Sequence, residues 1–267
     1  MRTLLFYKIL CYNISMSKSI LIAGKYLPEA TNFADGAEIK MRSVAITDPK
    51  ISKDTAPVSN IKMLPWTRPS PVAARTLILE CERIFGKLDE VVLYFDESYF
   101  ATKFHTLTMQ NCSQTIDDAL LGYQYLTLEL LSRFEKNSEM NASLGKPQSV
   151  TRLVFLIKKS VNEFDIKKNP ALRTDLPVPS NAFVAAAASA FVAFAENIAA
   201  IYNSKEYVEI ILVSTDFEND AVKTDNALGQ WLCDYLDELD TRKKRMSLKQ
   251  ELSWIKAGSK FSKFLIF

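Results

Sequence analysis

The stretch Phe-Gly-Lys-Leu-Asp-Glu-Val-Val-Leu-Tyr-Phe at residues 85–95 constrains the fold of this chain most. Apolar residues at helical spacing (Val72, Leu77, Leu79, Cys81, Ile84, Phe85) run into Gly86, which ends a helix without a Cβ penalty. Residues 88–95 then form a nearly continuous apolar run bounded by that glycine, the pattern of a strand buried on both faces. A helix delivering the chain to a doubly buried strand implies an open α/β sheet covered on both sides.

The surrounding segments repeat the alternation. Residues 20–23 form a short apolar run closed by Gly24, and residues 43–47 a second run closed by Asp48-Pro49. Residues 61–64 give a third strand, stopped by Pro65. Residues 28–40 allow a helix that Asp35-Gly36 weakens, whereas the polar stretch 50–60 carries no helical period. A helix is expected over 115–134, with Ser113 as N-cap and Asp117 and Asp118 in its first turn, followed by a polar loop over 135–149. A fifth strand follows at 152–157, a loop with Pro170, Pro177 and Pro179, an Ala-rich helix over about 182–202, and a sixth strand at 207–213. Residues 225–239 read as an amphipathic helix, and residues 261–267 as a last edge strand. The pattern predicts a single doubly wound, mostly parallel sheet over residues 16–267. Residues 1–15 are expected to be a disordered extension, with Met16 as a possible start.

At 267 residues, with 48% hydrophobic and 24% charged residues, the composition is that of an ordinary globular protein. A net charge of +2 gives no reason to expect nucleic acid or an anionic membrane as partner. Four separated cysteines (Cys11, Cys81, Cys112, Cys233) fit a reduced, cytoplasmic setting better than a disulfide framework or zinc site. The single histidine, His105, excludes mechanisms that need two, and reads as a surface or loop residue. No membrane span is expected: the best window, 182–202, depends on alanine and contains Glu196 and Asn197.

The joint at 85–95 resembles the centre of the short-chain dehydrogenase/reductase family, where a helix ends in Phe-Gly-[Arg/Lys]-[Ile/Leu]-Asp before the fourth strand. Other segments fit the family in order: Ile20-Leu-Ile-Ala-Gly24, Ala119-Leu-Leu-Gly122, Arg152-Leu-Val-Phe-Leu and Ala190-Phe-Val-Ala-Phe-Ala-Glu, spanning roughly residues 20–217. The resemblance implies a Rossmann-like domain that binds NAD(P) on a glycine-rich turn after the first strand, with an acidic residue ending the second strand on the adenosine ribose. It therefore points to Gly24 and Asp48 as cofactor-binding residues, although an aspartate before proline also starts turns.

The departures from that pattern carry the functional expectation. Pro28 and Ala30 stand where later glycines of the phosphate turn belong, and Leu93-Tyr-Phe-Asp96 replaces the family's open Asn-Asn-Ala-Gly. The positions of the family's catalytic tyrosine, lysine, serine and asparagine fall on Val184, Ala188, Lys158 and Ala119, so no catalytic residue is assigned. The carboxylates Asp96, Glu97, Asp216, Glu218 and Asp220 gather at strand ends, as an acidic cleft or cation site or as solvated loops. The basic run Arg242-Lys-Lys-Arg245 reads as a helix terminus or a contact for an acidic partner. These features predict a degenerate short-chain-dehydrogenase-like protein, acting as a structural or regulatory binding module without oxidoreductase catalysis. The alternative is an NAD(P)-binding sensor or an oxidoreductase with a noncanonical site. No cofactor is expected, NAD(P) being the open possibility, and the Ala-rich helix 182–202 is the expected face for a second copy or protein partner.

Overall fold

The computed structural model describes residues 17–51, 60–169, 180–216, 218–241 and 252–259. Within them, seven strands form one sheet in the order β3-β2-β1-β4-β5-β6-β7. They are β1 (Ser19–Ala23), β2 (Ser43–Asp48), β3 (Lys62–Pro65), β4 (Glu90–Asp96), β5 (Thr151–Lys159), β6 (Val208–Asp216) and β7 (Ile255–Lys256). Every pairing is parallel, with Leu21 opposite Ala45 on one side and Val91 on the other. This is the doubly wound order, whose direction reverses between β1 and β4 and leaves a crevice beyond their carboxyl ends.

Successive residues of β4 point to opposite faces, and both faces are buried. Val91, Leu93 and Phe95 join one apolar layer with helices α2 (Pro71–Phe85), α5 (Gly122–Ser143) and α7 (Ala182–Tyr202). Val92 and Tyr94 join the other, against α1 (Ala30–Ile39) and α8 (Asp225–Thr241). The helix–glycine–strand joint forms as its residues require. Ser70 Oγ accepts the Ala73 N–H at 3.2 Å, Pro71 opens α2, and Gly86 closes it at φ 74°.

Three expectations need correction. The helix expected over 115–134 starts earlier, as α4 (Met109–Ile116), because Thr108 Oγ1 caps the Asn111 N–H at 3.2 Å. Ser113 lies inside that helix. A π-helical turn at Asp117–Leu121 then joins α4 to α5 in one continuous rod, so Asp117 and Asp118 sit at a bulge and not at a helix start. The rod runs on to Ser143, well into the expected loop. Its last turns are polar because they face solvent, so no apolar period marks them. The described edge strand is β7, pairing Val213 and Ser214 of β6 with Ile255 and Lys256. The expected strand at 261–267, the basic run at 242–245 and the extension at 1–15 lie outside the described residues.

Gly36 interrupts no helix. A Cβ there would stand 2.2 Å from the Asn226 carbonyl oxygen, and one on Gly229 would stand 2.5 Å from the Phe33 carbonyl oxygen. The two glycines face reciprocal backbones and let α1 and α8 touch, which seats α8 and its first residue, Asp225, over the crevice.

Arg42 ties the opposite end of the sheet. Its Nε and Nη2 donate to the two oxygens of Glu90 at 2.9 and 3.1 Å, with both side chains buried. Among the described residues one helix, α7, is long and apolar enough to cross a membrane. Its Val184, Ala188, Phe191 and Ala195 are packed into the core instead.

Gly36→Ala is expected to destabilise the protein by about 2–3 kcal/mol, because the clash is with backbone and α8 must move away. Urea unfolding checks this; an unchanged midpoint would show that the two helices have room to spare.

Candidate functional site

The crevice is a cleft of about 1240 Å³ at the carboxyl ends of the strands, bordered by the turns after β1, β2, β3 and β4 and by α4. Its inner wall is a buried ion cluster. Lys25, the residue after Gly24, places Nζ 2.6 Å from Asp96 Oδ2 and 2.5 Å from Asp225 Oδ2. Lys158 Nζ donates to the other Asp225 oxygen at 2.8 Å, and the Tyr94 hydroxyl donates to that oxygen at 2.9 Å. Two lysines thus balance two aspartates, and Asp96 and Asp225 are 3% and 8% exposed. Burial alone would raise the Asp225 carboxyl, but Lys25 and Lys158 outweigh it and hold its pKa below the ordinary value. Burial lowers Lys25, yet Asp96 and Asp225 raise it on balance, so it stays charged. Burial beside these carboxylates drives the Tyr94 hydroxyl well above its usual pKa, which leaves it a neutral donor.

Of the two residues read from the sequence as cofactor-binding, Asp48 lines the cleft and Gly24 immediately precedes its lining residue Lys25. Gly24 is required by β4: a Cβ would sit 2.6 Å from the Tyr94 carbonyl oxygen. Asp48 borders the cleft at the end of β2, but its carboxylate is engaged by protein. Oδ2 accepts the Leu27 N–H at 2.9 Å and Oδ1 the Lys50 N–H at 2.7 Å. The same holds for the turn that would cradle a pyrophosphate. Tyr26 N–H donates to the Tyr99 hydroxyl at 2.9 Å, Ala30 to the Tyr26 carbonyl at 3.0 Å, and Thr31 to the Pro28 carbonyl at 3.1 Å. Pro28 has no N–H to offer. With the Tyr26, Leu27, Ala30 and Thr31 N–H groups partnered and Pro28 lacking one, the turn is a poor fit to a diphosphate held by N–H groups at a helix N-terminus.

The expected acidic cluster divides. Asp96 pairs with Lys25, while Asp216 reaches Lys256 at 3.5 Å on the far edge. Glu97 is buried and accepts the Ser160 N–H at 3.3 Å, and burial pushes its pKa up to about 7. Among the described residues no group of three or more His, Cys, Asp or Glu side chains could hold a metal ion. His105 is exposed in a loop, as its isolation suggested.

Five residues of the site escaped the sequence reading: Lys25, Arg68, Tyr99, Lys103 and Asp225. Tyr99 and Lys103 are four apart on the short helix α3 (Glu97–Lys103), so both can face the cleft. Asp225 had only its place in a first helical turn to mark it. Arg68 had no signal: it lies in the loop after β3, yet its guanidinium is 1% exposed.

Asp225→Asn is expected to lower stability at pH 7 by about 3 kcal/mol, since two lysines lose their shared counter-charge. Because the Asp225 pKa is depressed on folding, its contribution is present above 3.8 and is lost as pH falls, so mutant and wild type converge in acid. Glu97 has the opposite sign: its pKa is raised, so wild-type stability falls as pH rises from 4.5 to about 7, and Glu97→Gln flattens that span. Urea titrations at stepped pH read both slopes.

No protein-family model matches the chain, and no curated protein matches it in sequence. Many solved structures match its fold. A short chain dehydrogenase from Mycobacterium avium aligns with a TM-score of 0.59 at 13% identity, covering 91% of this chain and 83% of that one. An NADH-dependent reductase, A1-R', complexed with NAD, aligns at 0.51 with 9% identity, over 82% and 87% of the two chains. ElxO with NADP bound aligns at 0.50 with 14% identity, over 75% and 73%. At these identities the likeness extends to the backbone: the chain has the Rossmann-like fold of the short-chain dehydrogenases/reductases.

Proposed function

We propose that this chain is a degenerate short-chain-dehydrogenase-like protein that binds and does not reduce, serving as a structural or regulatory module in the cytoplasm. The observation that carries this reading is the turn after β1, where the Tyr26, Leu27, Ala30 and Thr31 N–H groups and the Lys25 ammonium are engaged by the protein itself. The proton-transfer positions support it. Val184 and Ala188 are buried and have no exchangeable proton, Ala119 lies in the π-helical turn, and Lys158 is paired with Asp225. The free thiols of Cys81 and Cys233 suit a reducing compartment, since burial pushes both up to about 12 and leaves them inert.

The partner face is the outer side of α7, where Ala186, Ala193 and Ala200 are exposed beside Ile201. Small side chains there allow a second helix to approach closely, and a second copy of the chain is the simplest occupant. Light scattering of the purified protein is expected to report a dimer that Ala193→Glu converts to monomer; a monomeric wild type ends this part of the reading.

One observation favours an NAD(P)-binding sensor as a second reading: the cleft has room for a large ligand, and Asp48 stands at its edge. The fold neighbours with NAD and NADP bound are consistent with it. Titration of NADH and NADPH with fluorescence and thermal shift separates the two. The leading reading expects no saturable binding below roughly 100 µM and no carbonyl-dependent loss of NADPH. Under it, Asp48→Ala costs about 1–2 kcal/mol, by freeing the Leu27 and Lys50 N–H groups, and changes nothing else. Saturable dinucleotide binding that Asp48→Ala abolishes establishes the sensor instead.

A further inference from the structure

The outer wall of the cleft holds a cation whose best donors are unused. A guanidinium presents Nε–H and one Nη2–H as a parallel pair, matched to the two oxygens of a carboxylate or phosphate. Three other arginines show how this chain uses that edge. Arg42 places it on Glu90, Arg133 places it on Glu82 at 2.8 and 2.5 Å, and Arg152 divides it between Glu209 and Asp240. Arg68 is more buried than Arg42, at 1% against 7%, yet its Nε and Nη2 have no hydrogen-bond partner among the described residues. Only Nη1 is satisfied, by the Asp118 carbonyl at 2.7 Å in the π-helical turn.

The neighbours leave that edge unpaired. Tyr26, Trp66, Tyr123 and Phe100 surround the guanidinium carbon at 4.6, 5.1, 5.3 and 5.5 Å. Ring faces stabilise the charge, but a conventional in-plane N–H bond needs an oxygen. The Tyr123 hydroxyl donates its proton to the Tyr94 carbonyl at 2.6 Å, and its oxygen makes no hydrogen bond to Nε or Nη2. Of the nearby carboxylates, Asp118 accepts from Lys103 at 2.6 Å and Asp48 from two backbone N–H groups, and neither bonds Nε or Nη2 of Arg68. Lys103 is the second cation at this spot, its Nζ 3.8 Å from the centre of the Tyr26 ring that also covers Arg68. Burial lowers the Lys103 pKa despite Asp118, so the ammonium gains from further negative charge.

We propose that the Nε/Nη2 edge of Arg68, with Lys103 beside it, is a subsite for one carboxylate or phosphate group of a small ligand entering the cleft. The proposal rests on the reading above that the β1 turn is no pyrophosphate cradle. Asp118 and Asp48 share this corner and offset the two cations, so the subsite favours a singly charged group over a diphosphate. The edge is closed to solvent in this structure, so a neighbouring side chain must move as the anion enters.

The test is side-chain ¹⁵N NMR of the full wild-type chain, following the Arg68 Nε–H signal with the Arg42 Nε–H signal as internal control. The probes are inorganic phosphate and acetate, added separately at constant ionic strength up to about 100 mM, because isolated fragments bind weakly. A saturable shift confined to Arg68, weakened at least about fivefold by Lys103→Gln at unchanged melting temperature, is the expected result. Saturation by phosphate alone or by acetate alone names the group. An unmoved Arg68 signal, an unsaturable shift shared with Arg42, or an affinity indifferent to Lys103→Gln overturns the subsite. Carbonyl-dependent NADPH oxidation would end the preceding reading without moving this signal, so the two failures are distinct.

Discussion

Two aspartates buried within reach of one ammonium govern the architecture of the crevice. Asp96 ends β4, Asp225 opens α8, Lys25 follows β1 and Lys158 lies near the end of β5, so one cluster fastens four elements that are distant in sequence. Unpaired, each buried charge would cost several kcal/mol; paired, the set is close to neutral and holds its members in one arrangement. The cluster also decides what the crevice can do. An ammonium committed to two carboxylates competes poorly for a ligand phosphate, and Tyr94 is fixed as a neutral donor.

The backbone beside this cluster behaves in the same way. In an open α/β sheet, the turn after the first strand is the natural anion site because helix-terminal N–H groups lack partners there. Here Asp48, Tyr99 and the turn's own carbonyls supply those partners. A cis peptide bond at Leu27–Pro28 lies in the same turn. The fold keeps the place of a ligand site while its hydrogen-bonding capacity is directed inward. Unsatisfied capacity persists on the opposite wall, at Arg68, where aromatic rings stabilise charge without accepting its N–H groups in their plane.

Helix packing connects these walls to the rest of the molecule. Gly36 and Gly229 allow α1 and α8 to touch, and that contact sets the position from which Asp225 reaches Lys25. The π-helical turn between α4 and α5 likewise puts the Asp118 carbonyl on Arg68 and the Asp118 carboxylate on Lys103. Both are backbone events that place charge.

Periodicity and local stereochemistry were enough to read the first six strands of the sheet, though not the short β7. Doubly buried strands such as 88–95 are continuous apolar runs and Gly86 marks a helix end, because each effect acts within a few residues. The start of α4 and the continuation of α5 past residue 134 were hidden, since solvent-facing polar turns carry no apolar period. The partners of Lys25, Arg68 and Asp225 were beyond any local pattern. Lys25 and Asp225 lie 200 residues apart, and only the wound sheet and the α1–α8 contact bring them to 2.5 Å. The sequence by itself determined the doubly wound fold. Tertiary structure decided which charges are spent and which remain available, because charge pairing depends on distance through space and not along the chain.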